Sequence, residues 1–348
     1  MGATPSSRIV VTAVGDIMLG EGVQKIRRGV RAAWAGSDCG ALLAHLRPIF
    51  AESDLNLGNL ECMLGEVDGK DPAKMVYKGS EAHLPGLKAT GFTHLSLANN
   101  HILEQGLAVA EQTQKLVAQA EMVPCCGANP IRAACRGVTV DLFTYNLIHD
   151  TPHLNFYRDA VAEEDFKAIR ASDAAVKIVC IHWGEEYSRY PSPGQIELGH
   201  RLVDSGACLV LGHHPHVTQG VERYGNGVIA YSMGNFIFDM NWSERTRSSF
   251  MLKAEIEDGK VARYSKIPLR QDDRFVPHLA EATPEEAELD QNVLRFQKDA
   301  EGYAAYRGKM LKQSRIQALV HLFAHFYQVD GRTWQGLIGK RLRRTHSK

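Results

Sequence analysis

Five apolar, strand-like runs in this chain each end on a short polar segment, and that repeated pairing restricts the fold more than any other feature. IVVTAV leads into Gly15-Asp16, DLNL into Gly58-Asn59-Leu60-Glu61, and HLSLA into Asn99-Asn100-His101. VKIVCI leads into His182-Trp183-Gly184-Glu185-Glu186, and CLVL into Gly212-His213-His214-Pro215-His216. Residues just past strand ends lie along one rim of a sheet, where open α/β proteins assemble their sites. Asp, Glu, Asn and His gathered on such a rim form an oxygen- and imidazole-lined pocket suited to divalent metals.

Strands are expected at Ile9–Val14, Asp54–Gly58, Thr93–Ala98, Val138–Tyr145, Val176–Ile181 and Ala207–Leu211. Between them, helical periodicity is readable at Gly40–Phe50, Leu107–Gln119, Glu163–Ala171 and Gln195–Asp204. Strand, helix, strand in sequence predicts βαβ units. After Pro215 the texture changes to short runs at Val217–Val221, Gly227–Tyr231, Phe250–Glu257 and Val261–Pro268, separated by the Gly-containing turns YGNG and EDGK. Such spacing predicts an antiparallel meander. From Thr283 onward the pattern is helical, with Pro277–Pro284 as a lead-in. The expected class is therefore α/β, a four-layer αββα two-sheet sandwich. Its domains are expected at 1–275 for the sandwich and 276–348 for a C-terminal helical extension.

Composition excludes several classes. Forty basic and forty acidic side chains cancel across 348 residues, so no global nucleic-acid binder is expected. The seven cysteines are scattered without CxxC pairs, which fits a reducing cytoplasm. The sequence contains no apolar stretch near the roughly 20 residues needed to span a bilayer. A cytoplasmic protein is the expectation, or one whose export segment lies outside this sequence. ATP-driven ligation would need a phosphate cradle, and GxxxxGK[ST] is absent.

Chemistry is read most sharply from the His-rich segment. Three imidazoles within four positions of a Gly/Pro-constrained turn crowd at a cost unless a metal or a negative group accepts them. Asp16, after a Gly that permits a sharp turn, and Glu61 supply carboxylates, the second able to bridge two ions. Asn99-Asn100-His101 either caps the helix that follows or offers an amide carbonyl oxygen to metal and an imidazole to substrate. His182 offers a neutral imidazole nitrogen. A pair of ions held so would support an in-line phosphoryl displacement, with a neighbouring His protonating the leaving group.

The ordered blocks GDIMLG, NLE, ANNHxxExG, HWGEEY, GHHPHVTQGVE and YSMGNFIFD resemble the capsule-synthesis CapA, or poly-γ-glutamate biosynthesis, family, itself similar to calcineurin-like metallophosphatases. The resemblance covers roughly Ile9 to Asp239. It implies metal ligation by Asp16, Glu61, Asn100, His182, His214 and His216, and general acid catalysis by His101. Asn59, Glu186 and His213 are implied as supporting partners or alternative ligands, and Gly234-Asn235-Phe236 as a structural loop beneath the site. Two departures stand out: Met18 occupies the place of a metallophosphatase His, and Glu61 that of an Asp. One metal position is thus expected to be poorer in ligands, unless Glu186 or a water fills it. Glu104 also replaces the usual Asp of the NNHxxD block.

The implied function is that of a metal-dependent phosphoester hydrolase in capsule or surface-polymer biosynthesis. The alternative is a non-catalytic, metal-binding accessory subunit of a polyglutamate or polysaccharide synthesis or export complex. One or two divalent ions (Mn, Fe, Zn or Mg) are the expected cofactor. The expected partners are a phosphorylated or polyanionic small molecule or polymer and capsule-synthesis proteins. Helix Met310–Tyr327, with Phe323, Phe326, Tyr327 and Trp334 nearby, is expected to pack on the core. The alternative is contact with an anionic inner-membrane surface, backed by basic Lys340–Arg344.

Overall fold

Period-two alternation decides how the sheets of this protein stack. In a computed structural model it is described over residues 8–22, 25, 28–66, 76–148 and 160–324. Along β1 (Arg8–Ile17), Ile9, Val11 and Ala13 face one way, because side chains at i, i+2 and i+4 share a face of a strand. They meet Leu55 and Leu57 of β2 (Leu55–Leu60). Across the gap stand Val140 of β6 (Val138–Asn146), Ile178 of β7 (Val176–His182) and Leu211 of β8 (Leu209–His213). This apolar layer lies between two sheets.

The first sheet continues from β1 and β2 through β3 (His94–Ser96) to β4 (Val123–Cys125), all parallel. On the other side of β1 it continues antiparallel through β12 (Ser248–Glu257), β13 (Lys260–Gln271) and β14 (Pro277–Leu279). Short β11 (Asn235–Ile237) also pairs with the end of β1. The second sheet is ordered β5 (Ile131–Cys135), β6, β7, β8, β10 (Gly227–Ala230), β9 (Val221–Tyr224), with β6, β7, β8 and β10 parallel.

Helices cover both outer faces. Leu84–Thr90 and Leu107–Gln119 place Leu84, Leu87, Ala110 and Val117 in one core with Val14 and Ile17. Glu163–Ala171 and Pro193–Asp204 place Phe166, Ile169, Ile196 and Leu202 against Val179, Ile181 and Val210. The result is the expected mixed α/β sandwich, helices outside and two sheets within. Its parallel strands bring the ends of β1, β2, β3, β7 and β8 to one rim.

Several local expectations are corrected. The helix expected over 40–50 is three pieces, Cys39–Leu42, Ala44–Leu46 and Arg47–Ala51. Pro48 sits in the first turn of the last piece, where its missing N–H costs nothing, whereas inside a continuous helix it would break the ladder. The strand expected at 217–221 begins only at Val221; before it, Val217 O accepts from Ser232 Oγ and Gln219 N donates to Ser232 O. The EDGK turn is as expected, with positive φ at both Asp258 and Gly259.

Beyond residue 275 the sheet runs on, since β14 pairs with β13 before any helix starts. The helical pattern from Thr283 divides into Pro284–Gln291, capped reciprocally by Thr283 and Glu286, and Ala300–Ala324, whose Gly302 N–H is capped by Asp299. Leu289 and Tyr303 of these helices, with Phe296 between them, form one apolar cluster with Tyr190. His325, Phe326, Tyr327, Trp334 and Lys340–Arg344 lie outside the described residues. No helix among the described residues is long and apolar enough to cross a membrane.

One glycine fixes the approach of β1 to the rim. A Cβ on Gly15 would stand 1.8 Å from Gly234 O, while Asp16 N donates to that same carbonyl at 3.0 Å. Gly15→Ala is therefore expected to lower stability by about 3 kcal/mol, the upper end of overpacking costs. Urea unfolding of the two proteins measures it.

Candidate metal centre

The rim gathers two carboxylates and five imidazoles into one buried cluster. Asp16, at the end of β1, lies with Oδ1 3.2 Å from His213 Nδ1 and Oδ2 3.5 Å from His216 Nδ1. Glu61 follows β2, and its Oε1 is 3.5 Å from His182 Nε2, 3.6 Å from His101 Nε2 and 3.7 Å from His216 Nε2. Two sets of donors come within metal-binding reach, Asp16 with Glu61 and His182, and Glu61 with His214 and His216. Glu61 belongs to both. Asn100 Oδ1 stands 2.8 Å from His182 Nε2, so one further donor converges on the same space.

The neighbouring amides hold these groups in place. Asn59 Nδ2 donates to Asp16 Oδ1 at 2.8 Å and lies 3.3 Å from His182 Nδ1. Asn99 Nδ2 donates to Leu60 O at 2.9 Å, and its Oδ1 accepts from His101 N at 3.2 Å. Asn235 Oδ1 is 3.0 Å from His216 Nδ1, and its own Nδ2 donates to Thr246 O at 3.0 Å. The chain through GHHPH adopts positive φ at His214 (96°) and His216 (56°). Side-chain-bearing residues take that conformation at a cost, and such strain concentrates at functional sites.

Asn59 orients one residue from each sheet. Its truncation in Asn59→Ala is expected to weaken divalent-metal affinity by about 10- to 100-fold, the usual effect of losing a ligand-orienting partner. Isothermal titration with Mn²⁺ reads this directly.

The electrostatics of the cluster suit a divalent cation. Both oxygens of Glu61 are buried with no hydrogen-bond partner, as is Nδ1 of His214. Leaving a buried carboxylate unpaired is costly. Burial, then Asp16 and Glu186, push the Glu61 carboxyl well above its ordinary value. Burial also raises Asp16, but contact with His213, the nearness of His216 and the Asn59 amide outweigh it and hold that carboxyl low. Burial, reinforced by the neighbouring imidazoles His214 and His213, holds His182 far below its usual value; burial and His216 bring His214 down to about 3. Neutral imidazoles beside orphaned carboxylate oxygens are the donor set a divalent cation requires. The residues present fit such an ion.

Residues 10–240 match the family model described as "Bacterial capsule synthesis protein PGA_cap". The chain belongs to this family. The "Capsule biosynthesis protein CapA" of Bacillus anthracis is 31% identical over 287 residues, covering 76% of this chain and 68% of that one. The "PGA biosynthesis protein CapA" of Bacillus subtilis (strain 168) is 27% identical over 301 residues, 80% of this chain and 73% of its own. A "Probable polyglutamine synthesis accessory protein" of Mycobacterium tuberculosis is 24% identical over 298 residues, 76% and 77% respectively. A solved structure titled a novel phosphatase, from Mycoplasma pneumoniae, aligns at 12% identity and TM-score 0.49 over 82% of this chain and 98% of its own, too distant to place residues.

Within this PGA_cap chain, Asp16, Glu61, Asn100, His101, His182, His213, His214 and His216 all reach the one cluster. His213 stands closer to Asp16 than His216 does. Glu186 does not join them: its residue is exposed, beside the Tyr187 hydroxyl at the mouth. Met18 is wholly buried in the outer core, its Sδ accepting from Gly20 N at 3.1 Å. It contributes no donor, and His213 is the imidazole that crowds Asp16.

Asn235 is more than the structural loop residue expected of the GNF segment, because it touches the His216 imidazole. A Gly-Asn pair after an apolar strand was the available signal, the same one that marked Asp16. Tyr77, stacked on His101, had none.

Proposed function

We propose that this PGA_cap protein is a metal-dependent phosphoester hydrolase acting in capsule or surface-polymer biosynthesis. One observation carries the reading: Glu61 presents two buried, unpartnered oxygens between donors from both sheets. Asp16, Glu61, Asn100, His182, His214 and His216 would hold the metal, with His213 beside Asp16. A divalent ion bound there supplies Lewis-acid charge for phosphoryl oxygens. The protein's own part is positioning and proton delivery. His101 is nearly buried; Glu104 Oε1 lies 3.2 Å from its Nδ1, and its Nε2 faces Glu61. An imidazole fixed on one edge by a carboxylate is oriented to give a proton from the other edge.

A second reading is favoured by Met18, which leaves one side of the cluster without a further imidazole. In it the protein is an accessory subunit, the role named for the mycobacterial relative, and its metal is structural. Metal analysis followed by assay of p-nitrophenyl phosphate with Mn²⁺ separates the two. Stoichiometric metal with turnover is expected; stoichiometric metal without turnover for aryl or alkyl phosphates overturns the hydrolase reading.

Ile316 and Val320 on the last helix are 51% and 63% exposed. They support the alternative reading of this helix, contact with an anionic membrane surface, over packing on the core along its whole length. Co-sedimentation of the full chain with phosphatidylserine vesicles tests the membrane contact.

A further inference from the structure

Tyr77 stands in a stretch no motif marked, yet its ring lies on the imidazole of His101 with centroids 3.6 Å apart and planes 19° apart. Backbone hydrogen bonds fix it from two sides. Tyr77 N donates to Glu21 O at 2.9 Å, and Tyr77 O accepts from Met63 N at 2.9 Å. Glu21 lies on the loop after β1, which brings Asp16 to the rim; Met63 follows β2 and Glu61. The phenol ring is thus referenced to the same two strand ends that present the carboxylates. φ at Tyr77 is +57°, a conformation that bulky residues avoid unless the surroundings impose it.

An imidazole turns about two side-chain bonds. Glu104 Oε1, 3.2 Å from Nδ1, restrains one edge of the His101 ring but not its plane. Glu104 is itself exposed, and Leu103 beside it packs at the core's edge. The Tyr77 face supplies the missing restraint, so that Nε2 stays aimed at Glu61, 3.6 Å away. We propose that Tyr77 is a positioning residue for His101, its ring rather than its hydroxyl setting the imidazole plane. This rests on His101 as the proton donor of the proposed hydrolase. In that step the P–O bond to the leaving group breaks as a water oxygen bonds to phosphorus. The proton on Nε2 passes to the departing oxygen, and the proton lost by the attacking water restores the imidazolium over the cycle.

Leaving-group dependence tests the proposal, because a poor leaving group needs the proton and a good one does not. With Mn²⁺-loaded protein, Tyr77→Leu is expected to lower kcat on phenyl phosphate by roughly 30-fold, part of the contribution of a general acid. On 2,4-dinitrophenyl phosphate the loss should stay within about 3-fold, since little acid assistance remains to be lost. Tyr77→Phe, which keeps the ring, should restore phenyl phosphate turnover, and Mn²⁺ content should be equal in all three proteins. Equal losses on the two substrates, or no rescue by Phe, overturn the proposal.

A second readout works without turnover. The ring current of Tyr77 should hold the His101 imidazole C–H proton signals upfield in the wild type and in Tyr77→Phe, and release them in Tyr77→Leu. Unmoved signals overturn the stack. A wild type that binds Mn²⁺ and hydrolyses nothing defeats the hydrolase reading alone, and the proton signals then decide for Tyr77.

Discussion

Glu61→Gln is expected to lose metal and turnover together while the metal-free protein becomes more stable. The side chain belongs to both donor sets found among the described residues. Gln keeps its shape but offers one neutral oxygen in place of two charged ones, so affinity should fall by more than the roughly 10- to 100-fold typical of an orienting partner. The stability gain has the opposite source. Without metal, the carboxylate is buried with both oxygens unpartnered, a cost that a neutral amide does not bear in full.

The pH dependence of that cost has a definite sign. Burial and then Asp16 raise the folded carboxyl of Glu61 well above its ordinary value. The folded state therefore holds this proton more tightly than the unfolded chain. Its contribution to stability is full below the ordinary carboxylate value, near 4.3, and is lost as pH rises toward the folded value. Chelated wild-type protein should accordingly lose stability from about pH 4.5 upward through this group, and Glu61→Gln should flatten the slope. With Mn²⁺ present the order reverses, since a ligand bound only by the folded state stabilises in proportion to its affinity. Thermal melts of both proteins with EDTA and with Mn²⁺ across pH check it. A wild-type slope unchanged by the substitution would remove Glu61 from the buried cluster.

Much of this centre was legible in the chain because strand ends are easy to read. Five apolar runs each stop at a polar group, and parallel strands necessarily deliver such ends to one rim. The helices Leu107–Gln119 and Glu163–Ala171 fall where their periodicity places them, each covering one sheet face. Contacts between loops were less legible. Asn235 reaches His216 only because β11 pairs with β1, and a three-residue strand carries no usable alternation. Tyr77 follows no periodic run, so its stack on His101 depends on two loops meeting. Glu186 was drawn in by its closeness in sequence to His182. Four residues past a strand end and beyond Gly184, whose φ is +85°, the residue is exposed, though its charge still acts on Glu61.

His101 and His214 should part company when each is removed. His214→Ala deletes a donor from the set it forms with Glu61 and His216, and metal content should drop with turnover. His101→Asn leaves both donor sets whole. It removes the nitrogen that faces Glu61 and the edge that contacts Glu104. Metal content should then stay at the wild-type level while kcat on an alkyl phosphate falls by about 10²- to 10⁴-fold, the contribution of a positioned general acid. The contrast separates the two functional readings better than either variant alone. In an accessory protein with a structural ion, His214→Ala would lower thermal stability in Mn²⁺ and His101→Asn would change little. In a hydrolase, His101→Asn is the more informative of the pair: a protein that melts like the wild type, binds Mn²⁺ like the wild type and turns over only activated esters has lost a proton donor and nothing else.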